Sequence, residues 1–159
     1  MMQVLIKSSL IFLILAVLQL TLVPLISVNT IIPDLVLIYV VIFALKHGQL
    51  KGTFFGFIIG FFFDIFSGGL LGSAMFAKTL AGFIAGYFYK DEFSEIFSNS
   101  ILFTSIIFVS ALVDSLFYSV LGSREIELNI LSLLFINGIF PAVYTALIGF
   151  AYSLLLRKK

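Results

Sequence analysis

Four polar side chains interrupt long apolar stretches of the sequence: Asp64, Lys78, Asp114 and Asn137. Carboxylate, ammonium and amide groups in apolar surroundings could form a pocket for a polar ligand, a path for protons, or an internal contact that fixes how helices pack. An ionised group at membrane depth costs about 3 kcal/mol or more unless it is paired or hydrated. Which of these uses applies depends on the elements that carry the four residues.

The composition shows what surrounds these groups. Of 159 residues, 62% are hydrophobic and 11% are charged, and the mean hydropathy is +1.24. Soluble domains carry about 25% charged residues. The composition therefore predicts an integral membrane protein in contact with the lipid bilayer.

Six apolar stretches approach the roughly 20 residues that a helix needs to cross a hydrocarbon core of about 30 Å. They predict an all-α protein with one domain over residues 1–159, a compact bundle of six transmembrane helices whose second span is short or re-entrant. The predicted spans are about 8–28, 31–45, 50–66, 71–89, 99–121 and 130–156.

Basic residues near the ends of the spans predict the orientation, because Lys and Arg concentrate in cytoplasmic loops. With the N and C termini both cytoplasmic, Arg124 lies outside and Lys78 lies within a span. The other basic residues then lie inside: Lys7, Lys46, Lys51, Lys90, Arg157, Lys158 and Lys159. This bias favours six spans, since one missing span would invert every later loop.

This topology brings the four polar side chains to a similar depth. Lys78, Asp114 and Asn137 each lie about two helical turns from the outer end of a span, and Asp64 lies slightly further out. We expect Asp64, Lys78 and Asp114 to form an ion-paired cluster inside the bundle. A role in fixing helix register is favoured over a substrate pocket or a proton path, because one Lys with two Asp approaches neutrality.

Glycine recurs every four residues on two neighbouring spans. The third span carries Gly52, Gly56 and Gly60, and the fourth carries Gly82 and Gly86. Residues four apart share one face of a helix, and small residues on such a face let helices approach closely in lipid. The spacing predicts that the third span packs on the fourth, with an interface to a partner subunit as the alternative.

Two prolines are predicted to affect helix geometry, Pro33 at the start of the second helix and Pro141 inside the last one. Asp34 follows Pro33 at the outer membrane edge, where its carboxylate could cap the second helix. Pro141 follows Asn137 and Gly138 in the last span. A proline inside a helix removes one hydrogen bond and clashes with the carbonyl four residues earlier, so a kink is expected there.

Few residues could support catalysis or metal binding. The sequence has no Cys and a single His, His47, so it predicts neither thiolate chemistry nor a multi-His metal site. It contains no nucleotide-binding loop, and its net charge of +1 argues against nucleic-acid partners. We expect no enzymatic activity and no cofactor.

Several short motifs follow one another along the chain: a Pro-Asp pair before the second span, an intramembrane acid followed by a Ser-Gly turn and a Leu-Gly pair, and an Asn-Gly pair with a proline in the last span. They comprise Pro33, Asp34, Asp64, Ser67, Gly68, Gly72, Asn137, Gly138 and Pro141. Their order and spacing resemble the MreD family of rod shape-determining proteins, over nearly the whole chain.

The resemblance implies a role in the bacterial cell-elongation machinery. Members of the family are multi-pass, non-catalytic proteins of the cytoplasmic membrane. They bind the single-span periplasmic scaffold MreC and act with MreB, RodA and a class B penicillin-binding protein to organise lateral peptidoglycan synthesis. The resemblance also implies a fold like that of the substrate-binding membrane subunits of ECF-type vitamin transporters.

Two hypotheses follow. The first is a non-catalytic assembly protein that binds a partner's transmembrane helix. This hypothesis predicts no ligand-sized polar pocket on the outer side. The second is a small-molecule-binding membrane subunit of an ECF-type transporter, and it predicts an outer cavity lined by Asp64, Lys78, Asp114 and Asn137. Because a polar ligand needs several convergent hydrogen-bonding groups and the chain supplies few, the first is favoured.

Overall fold

The computed structural model describes residues 2–28, 31–90, 96, 99–122 and 130–157. Within these ranges the chain forms six helices, as the sequence predicts, and the sixth is interrupted by a π-helical turn. The elements are α1 Met2–Thr21, α2 Leu35–His47, α3 Gln49–Ser67, α4 Ser73–Tyr87, α5 Ser100–Gly122, α6 Ile130–Leu134, the π-helical turn Phe135–Ile139 and α7 Phe140–Arg157.

Three segments of the described chain are long and apolar enough to cross a membrane: Gln49–Ser67, Ser100–Gly122 and Leu131–Leu155. The segments Ile11–Thr21 and Leu35–His47 are apolar but shorter. Large hydrophobic side chains are exposed along the outer faces of the helices, for example Phe54, Leu131 and Leu147. An apolar exterior of this kind is the surface that a bundle presents to lipid.

Two helices differ in extent from the stretches that the sequence indicated. α1 ends at Thr21, and a short 3-10 helix that contains Pro24 follows it. α2 has only 13 residues and begins at Leu35 because Asp34 is extended, with a φ of −108°. Asp34 Oδ1 accepts the N–H of Leu37 at 2.8 Å, so this side chain caps α2, as expected from its position.

α4 lies among the other helices because its contact faces are made of small residues. Ala74, Ala77, Ala81 and Ala85 are all fully buried. Ala74 packs with side chains of α1, α2 and α3 in one apolar cluster. Ala81 and Ala85 pack with side chains of α2, α5 and α7 in another. Lys78 therefore extends from the helix that the rest of the bundle surrounds.

The five regularly spaced glycines lie at the interface between α3 and α4. Gly52 faces the carbonyl of Gly82, Gly56 faces the carbonyl of Lys78, and Gly86 faces the backbone of Gln49. A Cβ at any of these glycines, or at Gly60 opposite Ala74, would lie closer than 3.0 Å to backbone atoms of the facing helix. The glycine faces are therefore covered within the chain by the packing of α3 on α4.

The π-helical turn occupies the place where the sequence predicts a kink. Pro141 has no N–H to donate to the preceding turn, and the wider turn lets Phe140 donate its N–H to the carbonyl of Phe135 instead. The carbonyl of Gly138 accepts the hydroxyl of Ser115 on α5 at 3.0 Å. This turn therefore joins the last helix to α5 next to Asn137.

Candidate functional site

Three charged side chains meet between α2, α4 and α5, and we call them the charged triad: Asp34, Lys78 and Asp114. Lys78 Nζ lies 2.5 Å from Asp34 Oδ2 and 3.3 Å from Asp114 Oδ2. It also lies 5.3 Å from the ring centroid of Phe63, within the range of a cation–π interaction. Lys78 and Asp114 are buried, whereas the Asp34 side chain keeps 22% of its surface exposed.

The start of α2, which carries Asp34, is held by two other helices. Gln19 on α1 donates its amide to the carbonyl of Pro33 at 2.8 Å and accepts the N–H of Leu35 at 2.9 Å. The N–H of Asp34 donates to the hydroxyl of Thr145 on α7 at 3.0 Å. Residues 33–35 are thereby held against α1 and α7, with Asp34 beside Lys78.

Asp64 lies outside this triad, and the expected pairing of Asp64 with Lys78 is therefore wrong. Its carboxylate accepts the backbone N–H groups of Gly72 and Ala74, each at 2.9 Å, and of Met75 at 3.0 Å. The short turn after α3 brings the unpaired N–H groups of the first turn of α4 onto the carboxylate. Asp64 thus caps α4, where the helix dipole favours a negative charge.

Replacing this cap is expected to weaken the fold without touching the triad. Asp64→Asn leaves one acceptor oxygen for three N–H donors, and hydrogen bonds to charged groups are worth about 1.5–3 kcal/mol each. We expect a lower thermal midpoint of the purified protein in mild detergent. Ser105→Ala is the control, because its hydroxyl donates to a carbonyl of its own helix, that of Ile101, and to no other residue in the part of the chain that the structure describes. An unchanged midpoint in Asp64→Asn would show that the cap contributes nothing.

A cavity of about 540 Å³ lies beside the charged triad. Its described walls come from the turn between α3 and α4, the C-terminal part of α5, the π-helical turn and the segments on either side of the loop before α2. All three residues of the triad line it, together with the polar side chains of Gln19, Tyr118, Ser119 and Asn137. Ligand sites in proteins have volumes of about 300–1,000 Å³, so the cavity is large enough for a small molecule.

The structure brings together three of the four polar residues that the sequence singled out. Lys78, Asp114 and Asn137 line the cavity, whereas Asp64 does not. Asp34 lines it instead, although the sequence indicated only a capping role for this residue. The structure therefore contains a ligand-sized pocket with polar groups in its walls. The assembly hypothesis predicts no such pocket on the outer side, and the transporter hypothesis predicts one, so this feature favours the second hypothesis.

Other polar groups of this site were missed by sequence reasoning. Gln19 could have been noticed as an amide in the otherwise apolar segment Ile11–Thr21. Nothing in the sequence marks Tyr118 and Ser119 as residues of a site, because Tyr and Ser are common near the ends of spans. Among the described residues, no group of three His, Cys, Asp or Glu side chains is arranged to hold a metal ion.

The comparisons with known proteins address the whole chain. The family model described as rod shape-determining protein MreD matches residues 1–158. Comparison with curated proteins and with solved structures gave no match. The match covers essentially the whole chain, and it agrees with the apolar six-helix fold. The chain belongs to the MreD family of rod shape-determining proteins.

Proposed function

We propose that this chain is a non-catalytic, multi-pass subunit of the rod-shape complex in the bacterial cytoplasmic membrane. In this proposal it binds an MreC-like single-span periplasmic scaffold and acts with MreB, RodA and a class B penicillin-binding protein to organise lateral peptidoglycan synthesis. The observation that carries the proposal is the family match over residues 1–158, because the family is named for rod-shape determination.

The proposed topology has six spans with both termini in the cytoplasm. Three long apolar helices support it, as does the exposure of Lys46 and Lys51 near the connection between α2 and α3, at the predicted cytoplasmic end. The turn between α3 and α4 lies at the other end of α3. The cavity then faces outward, on the side where a periplasmic scaffold emerges from the membrane.

The surface that binds the partner has to lie away from the glycine faces. Gly56 and Gly60 on α3, and Gly82 on α4, are covered by the packing of these two helices. A partner helix could reach them only by separating α3 from α4. We therefore propose that the partner's transmembrane helix contacts other parts of the apolar exterior of the bundle.

The alternative is a small-molecule-binding membrane subunit of an ECF-type transporter. The cavity beside the charged triad is the observation that favours it. This alternative requires an energy-coupling ATPase as a partner, whereas the assembly proposal requires an MreC-like scaffold. The copurifying proteins therefore distinguish the two functions.

The test is a mild-detergent pull-down of the tagged full-length protein from its native membrane, with the copurifying proteins identified by mass spectrometry. We expect an MreC-like protein and wall-synthesis enzymes to be enriched over a pull-down with an unrelated tagged multi-pass protein from the same membrane. Recovery of an energy-coupling ATPase without these proteins would contradict the assembly proposal and support the transporter alternative.

A further inference from the structure

We propose that the cavity beside the charged triad binds a molecule that carries a primary ammonium group. The inference goes beyond the assembly function and rests on the cavity alone, so it holds whichever partner protein the chain has. Three features of the cavity support it: its net charge, its unused hydrogen-bonding groups, and its size and walls.

The charge of the triad selects a cation. Lys78 supplies one positive charge, and Asp34 and Asp114 supply two negative charges, so the fully ionised triad has a net charge of −1. The Lys78 side chain is only 2% exposed, and its ammonium group is already engaged by both carboxylates. The Asp34 side chain is 22% exposed. A ligand entering the cavity therefore meets a carboxylate first, and a single added cation makes the buried group of charges neutral.

The hydrogen-bonding groups favour a primary ammonium. Asp34 Oδ1 accepts the N–H of Leu37, and Asp34 Oδ2 accepts Lys78 Nζ. Each carboxylate oxygen can accept a further donor, so Asp34 has acceptor capacity left for an ammonium group with three donors. A quaternary ammonium has no such donors and would instead need a cage of aromatic rings.

Other residues that line the cavity offer groups for a neutral, polar part of the same ligand. The side-chain amide of Asn137 and the hydroxyl of Tyr118 line the cavity, and neither has a hydrogen-bond partner among the residues that the structure describes. Asn137 belongs to the π-helical turn, a distortion that is frequent at functional sites in helices. These two groups could bind a hydroxyl or ester oxygen.

The size of the cavity and its apolar walls indicate more than a single ion. About 540 Å³ accommodates an organic amine, and Leu20, Pro24 and Leu70 supply apolar wall surface. A free small amine and the ethanolamine headgroup of a membrane lipid present the same ammonium group. The shared chemistry defines the site, and the choice of lipid in the test separates these two sources.

The first part of the test uses the full-length wild-type protein in nanodiscs of phosphatidylglycerol, which contains no amine. Thermal unfolding is followed while ethanolamine is added, with ethylene glycol, glycolate and choline as neutral, anionic and quaternary controls at equal ionic strength. We expect a saturable rise in thermal midpoint with ethanolamine only, because a ligand that binds the folded state stabilises it. No saturable rise with ethanolamine, or an equal rise with glycolate or choline, would overturn the proposal.

The second part removes the net charge while keeping the fold. Asp34→Asn leaves Lys78 paired with Asp114, and Asn caps a helix about as well as Asp does. We expect the affinity for ethanolamine to fall about tenfold or more, since the ligand loses one partner of an ion pair. An unchanged affinity would overturn the proposal even if the wild-type protein binds ethanolamine.

The third part repeats the titration in nanodiscs that contain phosphatidylethanolamine. A higher starting midpoint and a lost response to free ethanolamine, both absent in Asp34→Asn, would identify the lipid headgroup as the source of the ammonium. A retained response would identify a free amine. Both results support the site, and the pull-down of partner proteins is independent of either.

Discussion

Gly56→Leu is expected to abolish the folded yield of the protein. A Cβ on Gly56 would lie closer than 3.0 Å to the carbonyl carbon and oxygen of Lys78. These are backbone atoms of α4, so they cannot turn aside as the end of a side chain can. Even Gly56→Ala has to push α4 away from α3. We expect it to lower the free energy of unfolding by about 3 kcal/mol or more, which is at the upper end for overpacked cores. The three further heavy atoms of Leu leave no room for the interface.

The measurement is the yield of monodisperse protein in mild detergent, together with its thermal midpoint. Gly122→Ala is the matched control, because a Cβ at Gly122 meets nothing within 4 Å. Gly149→Ala is an intermediate case, since its new Cβ would meet the flexible end of Ile107. We expect the stability of Gly122→Ala to be unchanged and the free energy of unfolding of Gly149→Ala to fall by about 1 kcal/mol. Wild-type yield in Gly56→Leu would show that α3 and α4 do not pack through their glycines.

The packing of α3 on α4 could be predicted from the sequence because its signal is local. Glycine at Gly52, Gly56 and Gly60 repeats with the period of a helix face, and the short turn after Asp64 leaves the next helix as its neighbour. The number of helices and the fold class could be predicted for the same reason, because each helix that crosses a lipid bilayer needs a long apolar stretch of sequence. The extents of α1 and α2 were less accurate, because Pro24 and Asp34 end or begin a helix inside an apolar stretch.

The charge pairs could be predicted only in part, because depth along a helix does not give the direction in which a side chain points. Counting residues brought Lys78 and Asp114 to the same depth, and they lie side by side. The same counting brought Asp64 near Lys78, but the Asp64 carboxylate instead accepts the N–H groups of Ala74 and Met75 at the start of α4. The sequence predicted only a capping role for Asp34. Because a carboxylate has two oxygens, Asp34 caps α2 with one of them and binds Lys78 with the other.

The cavity could not be predicted because its walls come from distant parts of the chain. Gln19, Tyr118 and Asn137 lie on three different helices, and each is unremarkable in its own segment. Their convergence depends on how the helices tilt and on the π-helical turn, which repositions the side chains that follow it. Counting polar groups in the sequence therefore underestimated how many of them meet in one place.

Lys78→Met is expected to destabilise the protein by about 3–5 kcal/mol, the usual cost of removing one partner of a buried ion pair. Methionine has a similar length and fills the space of the lysine stem, so the loss comes from charge. Asp114 is buried, and without Lys78 Nζ at 3.3 Å it has no cation beside it among the described residues. The readouts are the folded yield and the thermal midpoint. Lys51→Met, at an exposed position, is the control and is expected to have little effect.

The double variant Lys78→Met/Asp114→Asn tests this reason directly. It removes the buried carboxylate that the single variant leaves unpaired, whereas Asp34 keeps its partial exposure and its bond to the N–H of Leu37. We expect the double variant to recover most of the stability lost in Lys78→Met. A wild-type midpoint in Lys78→Met alone, or no recovery in the double variant, would contradict the assignment of the loss to unpaired charge.

The shape of complemented cells then shows whether the ion pair of Lys78 with Asp114 serves only to hold the helices together or is also needed in the assembled complex. Complementation of a rod-shaped bacterium that lacks its own MreD-family protein compares the double variant with the wild type at equal membrane levels. Restored rods would mean that Lys78 and Asp114 act by holding α4 against α5, because neutral side chains suffice. Round cells that contain stable, partner-bound double variant would mean that the ion pair of Lys78 with Asp114 is needed after the protein has folded and assembled, because Asp34 still gives the cavity the same net charge of −1 in this variant.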